Sequence, residues 1–211
     1  MDTMKILAIG SHPDDIEIGC GGALLKHRAA GDAVHTIVLT GGGRGGDGGD
    51  AASPTLAGTR CIEAYAGAKI MDVTIECWDY NDAEIPETVD LVNRIEKIVN
   101  ELKPDRVYLP YGNDTHQDHR VTSNVAKSAC RKVKQILEYE EPSSYNSFNA
   151  TYWIDITPYI EQKIDAIRAH VSQGHKEILK AKSIEGLNLY RGYQSHVEYA
   201  EGFATFRFLE T

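Results

Sequence analysis

The chain opens on a short apolar run, Lys5–Ile9, that stops abruptly at "GSHPDD". Runs of this length, bounded by turn residues, read as strands buried on both faces. The signature recurs at "AVHTIVLT", "VTIECW", "PDRVYLPY" and "KQILEYE". Between these runs the spacing becomes helical. "GGALLKHRAAG" follows the first run, with Gly31 as its stop, and "TRCIEAYAGAKI" precedes the third. "PETVDLVNRIEKIVNEL" sets Leu91, Ile95, Ile98 and Leu102 on one helical face. A further helix is predicted from about Val121 to Arg131. The last third reads as a strand, "TYWIDIT", two helices covering much of Pro158–Leu189, and a terminal strand, "ATFRF". "GGGRGGDGGDAASP" has no periodicity and reads as a glycine-rich loop, either at the mouth of a site or as a plain connection. No repeat or linker divides the chain, so residues 1–211 are expected to form one domain.

Alternating strands and helices imply an α/β fold, a Rossmann-like doubly wound, mainly parallel sheet in three layers. In the strand order 3-2-1-4-5, strands one and four are neighbours at the switch point, where ligands bind beyond the carboxyl ends. The first strand ends in "SHPDD" and the fourth in "YGNDTHQDH". Topology therefore brings His12, Asp14 and Asp15 to the same crevice as His116, Asp118 and His119. Taken singly, Asp14 or Asp15 reads as a helix cap. His116 and His119, three apart, read as one face of a helix start. Taken together, these residues offer the imidazole and carboxylate donors that a catalytic zinc site uses, in which three protein ligands leave one position open to water. Two histidines and a carboxylate also suit Fe2+.

Composition narrows the partners. The net charge is −9 with no basic block, which argues against nucleic acid. No stretch is apolar enough to span a bilayer, and the N-terminus lacks the basic and apolar regions of a secretory signal, so a cytoplasmic location is expected. Cys20, Cys61, Cys77 and Cys130 form no Cys-x-x-Cys pair and are expected as reduced thiols rather than disulfides. Trp78 and Trp153 read as core or interface. His27, His35, His170, His175 and His196 read as packed or surface histidines.

"SHPDD" near the N-terminus with "HQDH" downstream resembles the PIG-L/LmbE-like zinc deacetylases. "GTRCIEAYAGAKI" resembles their R-x-x-E-x-x-x-A-A helix, with Gly67 in place of one Ala. "YAEGF" is similar to their ending, and "YEEPSS" and "HVSQ" resemble a subset linked to sugar and polysaccharide biosynthesis. Gln117 departs from a common Pro. The resemblance implies hydrolysis of the N-acetyl group of an N-acetylglucosamine conjugate: a glycolipid, inositol, malate or polysaccharide precursor. It implies zinc held by His12, Asp15 and His119, with Asp14 as general base. Protonated His116 would stand near the substrate carbonyl, and Asp118 would hydrogen-bond a histidine. It also implies a homo-oligomer, trimer or hexamer, acting on a small molecule. On this reading the metal offsets the repulsion between Asp14 and Asp15. Arg60 matches the family's arginine and is expected to contact substrate, with a surface ion pair to Glu63 as the alternative. Arg44 is a candidate for an anionic substrate group, or a solvated loop arginine. The rival readings are a metal-dependent phosphoesterase, a non-catalytic sugar-binding protein, and a nucleotide-binding module built on "GCGGALL", whose glycines lack the G-x-G-x-x-G spacing.

Overall fold

β1 (Lys5–Gly10) shows how the chain builds its layers. Its alternate side chains enter two separate cores: Ile6 and Ala8 join one cluster, Leu7 and Ile9 the other. A strand buried on both faces needs helices above and below. The computed structural model, which describes residues 3–46 and 52–210, supplies them. The chain continues through α1 (Asp15–Ala29), β2 (Ala33–Thr40), α2 (Pro54–Met71), β3 (Thr74–Tyr80), α3 (Val89–Leu102), β4 (Arg106–Pro110), α4 (Gln117–Ala129) and β5 (Gln135–Tyr139). It ends with β6 (Tyr152–Asp155), α5 (Ile160–Arg168), α6 (Ala181–Ser195) and β7 (Ala200–Phe208). The sheet order is β3-β2-β1-β4-β5-β7-β6. The first five strands are parallel, in the order read from the sequence. β7 then runs antiparallel to β5, and β6 antiparallel to β7. The result is a mostly parallel, three-layer α/β fold.

α3 buries Leu91, Ile95 and Val99, while Ile98 and Leu102 flank them half-buried. Three helices begin earlier than their patterns suggest. α2 starts at Pro54, where the Ser53 hydroxyl accepts the Leu56 amide. α4 includes the whole "QDH" segment, with His116 at its N-cap. α1 starts at Asp15 and runs through three glycines that weaken a helix on propensity alone. Packing overrides that penalty, because a Cβ at Gly19 would collide with the Tyr139 ring. The missing side chain lets α1 lie close against β5.

The expectation of four reduced thiols is corrected for one pair. Cys61 and Cys77 are disulfide-bonded, while Cys20 and Cys130 are free and buried. The two bonded residues are 16 apart in sequence, but α2 packs on β3 and brings their Cα atoms to 6.1 Å. Among the described residues no helix is long and apolar enough to cross a membrane.

Candidate active site

The turn after β1 sets the first half of the site. Asp15, the first residue of α1, folds its carboxylate back so that Oδ2 accepts the amides of Ser11 (2.9 Å) and His12 (2.8 Å). Asp14 occupies the N-cap with φ 98°, a left-handed conformation that Asp tolerates better than most residues. Its side chain makes no capping bond. The two adjacent carboxylates are held by different groups: Asp15 by backbone amides, Asp14 by Arg60, whose Nη2 lies 3.2 Å from Asp14 Oδ2.

The turn after β4 sets the second half. Because β4 pairs directly with β1, the start of α4 faces the start of α1. His119 Nε2 lies 3.5 Å from Asp15 Oδ2, and His12 Nδ1 lies 3.5 Å from the same oxygen. The far nitrogen of each ring is held by carboxylates. His12 Nε2 meets Asp118 Oδ2 at 3.1 Å and Asp82 Oδ1 at 3.2 Å. His119 Nδ1 meets Asp114 Oδ2 at 3.3 Å and the Ser143 hydroxyl at 3.2 Å. His116 stacks on His119, with ring centroids 4.8 Å apart. Its Nδ1 accepts the Asp118 amide at 3.2 Å, which leaves the neutral ring with its proton on Nε2.

Among the described residues, two groups offer donor atoms within 4.8 Å of one another: His12, Asp15 and His119, and His12, His116 and Asp118. The second is the poorer fit. Asp118 Oδ2 already accepts the Ala83 amide at 2.7 Å and faces His12 Nε2, so it serves as an anchor for both. The first presents one nitrogen from each imidazole toward a shared carboxylate, with the opposite nitrogens fixed by Asp118 and Asp114. Imidazoles oriented by carboxylates behind them are the usual surroundings of a metal-binding histidine. The residues thus fit a divalent cation.

The charges agree with that fit. Burial opposes a charge on His119, but Asp15 and Asp114 overcome it and raise its pKa to about 10. His12 is raised in the same way, against burial, by Asp15, Asp118 and Asp82. Asp15 is held well below the usual carboxylate range, against burial, by His119 and His12. Asp82 is lowered to about 2, again against burial, by His12 and the Arg44 amide. These carboxylates demand positive charge at the centre of the cluster. Asp14 differs. Burial raises its pKa, and Asp15 adds to that against the pull of Arg60. Burial and the neighbouring rings of His12 and His119 lower His116.

The cluster opens into a cavity of about 350 Å3 that Asp14, Arg44, Arg60, Asp82, His116 and Glu141 help to line. Arg60 is 3% exposed, so the surface pair with Glu63 does not form. Arg60 instead donates to the Pro13 and Gly42 carbonyls, both at 2.7 Å, while Glu63 accepts from Ser172. Gly42 has φ 64°, and a Cβ there would run into the Arg60 guanidinium. The described part of the glycine-rich loop therefore packs against the site, while residues 47–51 lie outside the described residues. Arg44 lines the cavity but is engaged by Asp82 and Glu84. Asp114, Asp82, Ser143 and Glu141 are not singled out by the sequence. Asp114, two residues before His116, carried a spacing signal; the other three lie on loops that only folding brings near.

Fold and site together define an α/β protein with a buried two-histidine, one-carboxylate cluster at the switch point of its sheet. Residues 7–130, which include every member of the cluster, match the PIG-L family (GlcNAc-PI de-N-acetylase), and the chain belongs to this deacetylase family. It is 30% identical over 222 residues to diacetylchitobiose deacetylase of Thermococcus kodakarensis, spanning 95% of this chain and 82% of that protein. The N,N'-diacetylchitobiose deacetylase structure from Pyrococcus horikoshii superposes with a TM-score of 0.85 at 27% identity, covering 97% of this chain and 84% of the other. The 4-carboxy-2-hydroxymuconate hydratase GalB of Pseudomonas putida KT2440 shares the fold, with a TM-score of 0.87 at 22% identity and coverage of 99% and 98%.

Proposed function

We propose that the chain is a metal-dependent amide hydrolase that removes the N-acetyl group from an N-acetylglucosamine conjugate, releasing acetate and an amino sugar. One observation carries the reading. Two carboxylate-anchored imidazoles converge on Asp15, with a second, raised-pKa carboxylate, Asp14, beside them, in a member of a deacetylase family. The metal, Zn2+ or Fe2+, would be held by His12 Nδ1, Asp15 and His119 Nε2. A divalent cation there supplies Lewis acidity, acidifying water and polarising an amide carbonyl.

Asp14 takes the proton of the attacking water as the new C–O bond forms. Arg60 fixes the Asp14 carboxylate in place through its bond to Oδ2. His116 serves as a neutral donor rather than an imidazolium, because the Asp118 amide occupies its Nδ1; its Nε2–H stabilises the developing oxyanion. Cleavage of the C–N bond needs a proton on the leaving amine, supplied from Asp14 or from His116. Asp118 holds His12, and Asp114 holds His119. Arg60 and Arg44 line the same cavity and are the proposed contacts for a bound sugar.

Acetate release from N-acetylglucosamine conjugates, measured with metal content, tests this. Asp14→Asn should retain metal and lose about 10²–10⁴ in kcat, the usual contribution of a general base. Asp15→Asn should lose the metal. Full turnover in metal-loaded Asp14→Asn would remove Asp14 from the base role. Absence of acetate from every conjugate, in protein with its metal bound, would end the deacetylase reading and leave a different chemistry on a shared fold.

A further inference from the structure

The first turn of α1 carries the pattern of a capping box, Asp14-x-x-Glu17. In such a box the N-cap side chain takes the amide three residues on, and the glutamate reaches back to the N-cap amide. Here both side chains are drawn elsewhere: Asp14 makes no capping bond and meets Arg60, while Glu17 meets His170. An N-cap residue ordinarily has extended backbone dihedrals, yet Asp14 stands at φ 98°. A left-handed residue other than glycine persists only where its surroundings hold it. Resting on the deacetylase reading above, we propose that His170 is a positioning residue for Asp14: by engaging Glu17 it keeps the cap of α1 open and leaves the Asp14 carboxylate free to act as base.

Arg60 supplies one side of the hold, through the Pro13 carbonyl at 2.7 Å and Asp14 Oδ2 at 3.2 Å. The other side comes from His170 and the short turn that follows it, Val171–Gln173, between α5 and α6. His170 and Glu17 are both buried. His170 Nε2–H donates to Glu17 Oε1 at 3.1 Å. Among the described residues its Nδ1 meets no partner, so the one hydrogen bond of the ring goes to Glu17. Gly67 on α2 makes room for the pair, since a Cβ there would stand 2.7 Å from Glu17 Oε1 and 3.4 Å from His170 Nε2.

The same turn reaches the second helix of the site. Ser172 donates its amide and its hydroxyl to the two carboxylate oxygens of Glu63, each at 2.7 Å. Glu63 follows Arg60 by one helical turn on α2. The turn thus braces α1 through Glu17 and α2 through Glu63, the helices whose first turns carry Asp14 and whose body carries Arg60. None of His170, Glu17, Ser172 and Glu63 lines the catalytic cavity, so they act through Asp14 and Arg60 rather than on substrate. With His170 gone, Glu17 is a buried carboxylate without its donor, a costly state. The donor that its own helix start offers is the Asp14 amide. The box then closes: Asp14 relaxes toward extended dihedrals, and its carboxylate turns to the Glu17 amide.

The test measures kcat, KM and bound metal for wild type, His170→Leu and the double variant Glu17→Met/His170→Leu, with N,N'-diacetylchitobiose as the probe. His170→Leu should lose about tenfold in kcat, the order expected when a strained residue is allowed to relax, with KM and metal content unchanged. Removing Glu17 as well takes away the group that closes the box, and apolar replacement of a buried pair preserves folding. The double variant should therefore regain about threefold in kcat over His170→Leu, a coupling of the size seen between residues in contact. A merely structural role predicts the reverse, a deeper loss in the double variant. His170→Asn, polar but too short to reach Glu17, serves as the second variant should His170→Leu fold poorly. Unchanged kcat in the folded single variants, or a double variant slower than the single one, overturns the proposal. A crystal structure of His170→Leu needs no turnover and separates this proposal from the reaction assignment. If wild type releases no acetate from any conjugate, a Glu17 carboxylate bonded to the Asp14 amide keeps the positioning role and discards the chemistry, whereas an Asp14 still left-handed beside an unmoved Glu17 discards the positioning role.

Discussion

Asp114→Asn probes the assembly of the metal cluster through a residue that touches no proposed substrate. Asp114 is fully buried, and its two oxygens have distinct duties. Oδ1 accepts the His116 amide at 2.8 Å; Oδ2 accepts the Ser144 hydroxyl at 3.0 Å and faces His119 Nδ1 at 3.3 Å. An asparagine must keep its carbonyl oxygen on the His116 amide, because that amide can only donate. Its NH2 group then occupies the place of Oδ2 and points at His119 Nδ1. A donor there turns Nδ1 into an acceptor and moves the ring proton to Nε2, the nitrogen that faces Asp15 and the metal position. Ser144 adapts by rotating its hydroxyl. Loss of such a carboxylate behind a metal-bound histidine weakens metal affinity about 10–100-fold, equivalent to about 1.4–2.7 kcal/mol. Zinc affinity measured by competition with a chromogenic chelator reads the effect, with thermal melts of the metal-free proteins as the control for folding. Wild-type zinc affinity in a variant that melts like wild type would refute the role given to Asp114.

Two further predictions concern stability. Replacing both Cys61 and Cys77 by Ser should lower stability by about 3 kcal/mol, the loop-closure contribution expected for a bond spanning a loop of this length, and reduce Tm by about 6–12 °C in a chain of this size; a Tm unchanged on reduction or substitution contradicts this. His170, whose Nε2 lies 3.1 Å from Glu17 in the core, has its pKa raised by Glu17 against the opposing effect of burial. The stabilisation from its charged form is therefore complete below its unfolded value of about 6.5 and is lost as pH rises through the higher folded pKa. Urea unfolding of wild type and His170→Gln from pH 6 to pH 9 should show the stability difference shrinking with pH, and a difference that grows would reverse the assignment.

The order of elements was legible because its cause is local. Apolar runs of strand length alternate with helical spacing, and a strand such as β1, buried on both faces, cannot be written with polar residues. The switch point followed from topology, so the convergence of His12, Asp14 and Asp15 with His116 and His119 was also readable. Helix starts were less so: the N-cap roles of Ser53 and His116 depend on single hydrogen bonds, and the glycines of α1 are tolerated because Tyr139 needs the space at Gly19. The family resemblance pointed Arg60 to substrate and its sequence neighbour Glu63 offered a surface ion pair; folding carried Glu63 to Ser172 and Arg60 to Asp14. Asp82 and Glu141 belong to loops after β3 and β5, and their own sequence neighbours give them no distinguishing pattern. The Cys61–Cys77 bond arises the same way, from α2 packing on β3. What depends on periodicity and strand order is written along the chain. What depends on one side chain meeting another across more than 100 residues, as Asp118 meets His12, is decided only when the sheet brings the strand ends together.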